Sequence, residues 1–340
     1  MRYTVEKVIV ISGVAGMTGS KIAEKYLHQG LSVVGFDNFF CGSKEVVADL
    51  QNNKNFLFYE YDINNVEEMN TLFLDVEEKF KNLDKIFVNC AAVVHTKHFY
   101  YPEDTFKTNV LGMKYMLECS IKYKYSIFIN CSTSEVYSMN SWQEGGVKEE
   151  QPILLATAEQ SLRTSYAVGK LMTEFFLKDS VDKKLIKGCS IRFANVYSPE
   201  EAHNDHIIPW IISSLMDSGQ VKLLTNAKET RRTFLHNEDS CSAIIALIST
   251  DKALDGTVYN VGTKDEIYIA ELVKLIAGYM HIDNPEIIYS GKRTCDPKRR
   301  LLNVDKIEIV TGWKPVVNLE EGIKQCITYR KNHEKSSFNN

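Results

Sequence analysis

Short apolar runs recur along the chain, each closing on a glycine, an acid or a small polar residue. The first is Val8-Ile9-Val10-Ile11, whose length and β-branching predict a buried parallel strand rather than a helix. Residues 32–37, 56–62, 84–91 and 126–132 repeat the pattern, and residues 21–29, 67–81 and 101–123 carry helical character between them. Strands alternating with helices in this way specify an α/β fold with a doubly wound parallel sheet. Residues 165–178 read as a further helix. Beyond residue 195 the elements shorten, which predicts a smaller domain interleaved with strands that return to the sheet. The expected division is a dinucleotide-binding domain over 1–196 with a returning segment near 228–262, then a substrate-binding domain over 197–335. A last helix is expected over 319–329, and 331–340 reads as a polar tail, with 336–340 mobile.

Composition narrows the class. The chain has 340 residues, 44% of them apolar and 25% charged, which suits a soluble protein with a large core. A net charge of −4 argues against a protein that tracks nucleic-acid phosphates. Eight cysteines are scattered without CxxC spacing, and Cys90 and Cys131 sit inside apolar runs. Reduced thiols in a cytoplasmic protein are the expectation, with neither metal nor disulfide. His206, His236 and His281 have no metal-ligand spacing. The Val8–Ile11 run is too short for a membrane span, and no membrane partner is expected.

Two constellations carry chemistry. Gly13, Gly16 and Gly19 follow the first strand where a helix begins near Thr18, an arrangement that lets a backbone turn tightly and approach a phosphate. Asp37 ends the second strand about twenty residues later, where an acid accepts the ribose hydroxyls of NAD and repels the extra phosphate of NADP. The second constellation opens at the end of the fifth strand with Thr133-Ser134-Glu135. Tyr166 and Lys170, one helical turn apart, project from one face of a helix. A lysine beside a tyrosine favours the phenolate, which suits a general base for an alcohol.

With GVAGMTG, FDN at 36–38, YDI at 61–63, NCAA at 89–92, TNVLGM at 108–113, STSEVY at 132–137, YAVGK at 166–170, RFANVYSP at 192–199, RRTFLHNED at 231–239, YNVG at 259–262 and TGWKP at 311–315, the chain resembles the extended short-chain dehydrogenases/reductases of the NAD-dependent nucleotide-sugar epimerase/dehydratase family. One departure is Ser138, where the family carries glycine. The resemblance implies a Rossmann domain and bound NAD, with Gly13, Gly16, Met17, Thr18, Gly19, Asp37, Asn38, Asp62, Ile63, Ala91, Ala92, Asn109, Tyr166 and Lys170 at the cofactor. It makes Tyr166 the base, Lys170 its partner on the nicotinamide ribose, and Thr133 the hydroxyl that shares the substrate's proton. It also puts Asn195, Arg232, Arg293 and Arg163 at a nucleotide diphosphate sugar, and the basic run Lys298-Arg299-Arg300, either a solvated face or a second grip on the diphosphate, adds Arg300. Helices near 101–123 and 165–178 would pack two copies into a homodimer.

The implied chemistry is oxidation of the sugar at C4, followed by proton transfer or elimination at a neighbouring carbon and return of hydride. Glu135 would act as acid or base in that second step. Relatives that dehydrate thymidine-diphosphate glucose carry Thr-Asp-Glu, whereas Ser134 and Arg163 resemble UDP-glucuronate decarboxylases. An NADPH-dependent carbonyl reductase and a non-catalytic NAD-binding scaffold are the alternatives from other classes. Asp37 opposes the first, and the intact Thr133, Tyr166 and Lys170 oppose the second.

Overall fold

A computed structural model describes residues 6–94, 96–140, 145–201 and 206–337, with side chains to 332. In chain order the first half comprises β1 (Lys7–Ser12), α1 (Met17–His28), β2 (Ser32–Asp37), α2 (Lys44–Gln51), β3 (Phe56–Glu60), α3 (Val66–Lys79) and β4 (Asp84–Asn89). A short α4 (Pro102–Asp104) runs through a π-helical stretch, Thr105–Gly112, into α5 (Met113–Lys122). Then come β5 (Ile127–Thr133), α6 (Thr164–Asp182), β6 (Lys187–Phe193), β7 (Asn195–Tyr197), α7 (Ile207–Ser218) and β8 (Gln220–Leu223). The chain continues with β9 (Arg231–His236), α8 (Asn237–Ile248), β10 (Asp255–Val261), β11 (Glu266–Tyr268) and α9 (Ile269–Met280). It ends with β12 (Glu286–Tyr289), β13 (Arg299–Arg300), α10 (Asp305–Thr311) and α11 (Leu319–Ser337).

Seven parallel strands form the main sheet in the order β10-β6-β5-β4-β1-β2-β3. Helices cover both faces, so most of its strand residues are apolar on either side rather than alternately. Val8 and Val10 join the core that holds Met69 and Phe73, whereas Ile9 and Ile11 join the one that holds Ile22 and Ala23. The order reverses between β1 and β4, and that crevice at the strands' C-terminal ends is where such sheets bind ligands. A buried polar line ties the strands together beneath it: Ser12 Oγ donates to Asn89 Oδ1 at 2.8 Å, and Asn130 Nδ2 donates to Thr173 Oγ1 at 2.9 Å.

The C-terminal part departs from the expected outline in three respects. Within the segment expected to return to the main sheet, β10 does so, but β9 lies in a small second sheet with β7, β11 and β13. Two full helices, α7 and α9, stand where only short elements were expected, and they pack Ile211, Ile212, Leu272 and Ile276 into a separate core. The final helix runs to Ser337, so most of the expected polar tail is helical; residues 338–340 lie outside the described residues. No helix among the described residues is long and apolar enough to cross a membrane.

Candidate active site

The glycine turn is built by contacts that only glycine permits. Gly13 has φ +70°, and a Cβ there would lie 2.8 Å from the backbone nitrogen of Ala91. A Cβ at Gly19 would lie 2.3 Å from the Gly13 carbonyl, so α1 packs directly on the turn. Gly16 caps α1 with no side chain bonded to the helix N-terminus, leaving its N–H groups for an anion. A cavity of about 790 Å³ opens there, within the range of cofactor pockets.

Gly13, Gly16, Met17, Asp37, Asn38, Asp62, Ile63, Ala91 and Ala92 all line this cavity. Asp37 also holds the turn in shape: its Oδ1 accepts from the Phe39 N–H at 2.8 Å and its Oδ2 from the Ala15 N–H at 3.1 Å. Burial pushes its carboxyl pKa up, against the pull of these N–H groups. Each oxygen accepts one N–H and keeps a further lone pair, so holding the turn is compatible with the expected ribose role. Three expected cofactor residues play supporting parts instead. Thr18 Oγ1 donates to Asn237 Oδ1 at 3.4 Å, Gly19 is packed under the turn, and buried Asn109 accepts the Val93 N–H at 2.8 Å, shaping the loop after β4. With an uncapped helix terminus, an acid at the end of β2 and a cavity between them, these residues fit a dinucleotide. NAD is expected to bind more tightly than NADP by isothermal titration, and Asp37→Asn to narrow the difference; tighter NADP binding by the native protein would contradict the assignment.

Beside this cavity lie the reactive side chains. Tyr166 is buried, and stacked on Phe99 with ring centroids 3.8 Å apart and planes within 7°; Thr133 is close enough to favour its phenolate. Lys170 Nζ donates to the Cys131 carbonyl at 2.8 Å, and burial lowers its pKa to about 8. The expected lowering of the phenol's pKa by Lys170 is not what the geometry produces. Burial, and then the charge of Glu135, push Tyr166 well above its ordinary value. Thr133 Oγ1 accepts the Glu135 N–H at 3.2 Å, while Ser134 is buried in the same turn. Ser138 has φ −54°, so the turn has no need of the family's glycine.

Glu135 is the centre of an arginine cluster. Its Oε1 accepts from Arg163 Nη2 at 2.7 Å and Arg300 Nη1 at 2.8 Å, and its Oε2 from Arg300 Nη2 at 3.2 Å. Burial alone would raise its pKa, yet Arg300 and Arg163 hold it at about 2. This opposes the expected role of a free acid or base. Arg232 donates to Asp296 at 3.0 Å, and burial and the neighbouring Arg300 lower its pKa to about 10. Arg293 is exposed, though its charge reaches Arg232. Asn195 Nδ2 donates to the Thr233 carbonyl at 2.9 Å, which commits that hydrogen to joining β7 to β9. Lys298 and Arg299 pair with Glu229 and Glu266.

Phe99 escaped the sequence reading, although it layers Tyr166 on one side and the Arg163 guanidinium, 5.0 Å from its ring centre, on the other. Cys90 was taken as core, yet it lines the cavity and lies 3.8 Å from Cys131. Its signal was available: an Asn-Cys pair straddles the end of β4 and another lies within β5, and their asparagines are in register.

Known proteins share this arrangement. Over 338 residues the chain is 25% identical to UDP-glucuronic acid decarboxylase 1 of Xenopus tropicalis, spanning 98% of this chain and 74% of that protein. It is 26% identical to the dTDP-D-glucose 4,6-dehydratase of Mus musculus, spanning 96% and 89%. The UDP-glucose 4-epimerase of Thermotoga maritima, solved with UDP-glucose, superimposes with a TM-score of 0.83 at 25% identity, over 96% of this chain and 99% of that one. Residues 9–262 match the NAD dependent epimerase/dehydratase family. With the glycine turn, the cavity and the Thr133–Tyr166–Lys170 group in place, the chain belongs to that family and is an NAD-dependent enzyme of the extended short-chain dehydrogenase/reductase type.

Proposed function

We propose that the protein acts on a nucleoside-diphosphate sugar by oxidising it at C4, carrying out a second step on the resulting 4-keto sugar and returning the hydride. The observation that carries this reading is the buried Thr133–Tyr166–Lys170 group beside a dinucleotide-sized cavity. Bound NAD would supply the hydride acceptor and donor. Tyr166 takes the hydroxyl proton from the sugar, and Thr133 bridges the two oxygens. Phe99 covers one face of the Tyr166 ring and keeps water from it. The low pKa of Lys170 leaves an ammonium that is easily discharged, which suits a group passing protons near neutral pH. Arg232 and Arg293 are the candidates to meet the diphosphate, Arg232 through donors left over from Asp296.

Decarboxylation of a sugar acid is the second reading, and the arginine cluster favours it. Arg163, Arg300 and Arg232 bring three positive charges against the two of Glu135 and Asp296, a surplus suited to a sugar carboxylate. The names of the decarboxylase relatives agree with it. The NAD-loaded protein should be offered UDP-glucuronate, UDP-glucose and dTDP-glucose in turn, with absorbance in the NADH band and product mass as readouts. Loss of carbon dioxide, loss of water and unchanged mass separate the three outcomes. If none of the three sugars is consumed, the proposal fails for these substrates.

A homodimer is also part of this proposal. Val168, Met172 and Phe175 form an exposed stripe at i, i+4 and i+7 on α6, and Phe106 and Leu111 are exposed on the preceding helical segment. Phe175 is 62% exposed among the described residues, a large apolar side chain left mostly to solvent. Light scattering at micromolar concentration is expected to give twice the chain mass, and Phe175→Glu to give the monomer. A native monomer under these conditions would remove the dimer from the reading.

A further inference from the structure

We propose that Cys90 and Cys131 form an oxidation-sensitive dithiol at the edge of the cofactor cavity, a modification site that peroxide closes to a disulfide. The strands bring them together. Asn89 and Asn130 are register partners on parallel β4 and β5, and each cysteine is the next residue. Neighbouring strands run about 4.8 Å apart, inside the Cα separation of roughly 4.4–6.8 Å that disulfides span. The two sulfurs are 3.8 Å apart, so side-chain rotation over roughly 2 Å closes the bond.

Access and reactivity point the same way. Both thiols are half-buried, and Cys90 lines the cavity through which a small oxidant would arrive. The hydrogen bond from Cys90 lowers the pKa of Cys131 against the cost of burial, and the nearby Lys170 ammonium adds to the lowering. Burial instead raises Cys119, Cys189, Cys241 and Cys326. One thiolate of the pair attacks one peroxide oxygen, the O–O bond breaks, and the departing hydroxide takes up a proton to become water. The other thiol then displaces water from the resulting sulfenic acid. In sum two thiols and one peroxide give one disulfide and two waters, the sulfurs losing two electrons to the peroxide. Closing the pair removes the thiolate charge that favours the Lys170 ammonium, and so weakens that cation beside the cofactor cavity. This consequence, unlike the disulfide itself, rests on Lys170 holding the cofactor.

The full-length protein would be treated with hydrogen peroxide, its remaining thiols alkylated, and its unreduced peptides mapped by mass spectrometry. A linked Cys90–Cys131 peptide is expected, less of it when NAD is present in excess, and none in Cys131→Ser. NAD affinity should fall about tenfold on oxidation, as for one lost charge-assisted hydrogen bond, and return with dithiothreitol. Recovery of both cysteines alkylated, or separately oxidised to sulfinic acids with no linked peptide, overturns the proposal. A linked peptide with unchanged NAD affinity upholds the dithiol and refutes the role given to Lys170.

Discussion

Tyr166→Phe is expected to lose sugar oxidation by about 10² to 10⁴ in rate while folding normally and binding NAD. The phenylalanine keeps the ring that stacks on Phe99 at 3.8 Å, so the variant changes one oxygen and little packing. What it loses is the phenol oxygen beside Thr133, the group proposed to accept the sugar's proton and then give it back. Burial and Glu135 both raise the Tyr166 pKa, so the phenolate is scarce at neutral pH and grows with pH. Hydride transfer in the native protein should therefore quicken as pH rises through the neutral range, and the residual rate of the variant should not follow it. Single-turnover absorbance in the NADH band measures both. A variant that kept most of its turnover would take Tyr166 out of the mechanism.

How much of this was legible in the sequence depends on how far apart the interacting residues lie. The glycine turn and the Tyr166–Lys170 pair are local: an apolar run, a glycine spacing and one helical turn determine them, whatever the rest of the chain does. Asp37 could be read because the strand that carries it is itself an apolar run. The arginine cluster could not, since Arg163 lies 28 residues from Glu135 and Arg300 lies 165 away. Their meeting depends on β13 pairing with β9, a two-residue strand with no pattern of its own. The charges at 298–300 look like a solvated run, yet each finds a different carboxylate. Phe99 sits in a single 3₁₀ turn between loops, where no periodicity marks which way a ring faces. In the C-terminal part three strands of the small sheet have only two or three residues, below the length at which alternation can be recognised.

Glu135→Gln is expected to cost the protein about 3–5 kcal/mol of stability and to slow both halves of the reaction together. Bonded as it is to both Arg163 and Arg300, the carboxylate neutralises two guanidiniums that would otherwise face each other beside Arg232. The amide keeps the shape but removes the charge, leaving buried arginines uncompensated. The native carboxyl titrates at about 2 rather than 4.5, so its stabilisation is fully present above pH 4.5 and is lost as pH falls toward 2. Thermal melts across that range should therefore separate the two proteins at neutral pH and bring them together in acid. Protonation of so acidic a group is negligible at neutral pH, which leaves it unable to act as a proton donor and makes it a weak acceptor. A free base would behave differently: its amide variant would reduce NAD at the native rate and then stall at the 4-keto sugar. Stopped-flow absorbance reports the first step and mass spectrometry of the sugar the second, so the two roles part in a single experiment. A stable Gln variant that stalls at the ketone would restore Glu135 to the chemistry. One that melts early and is slow in both steps identifies it as the anion that holds the arginines over Tyr166.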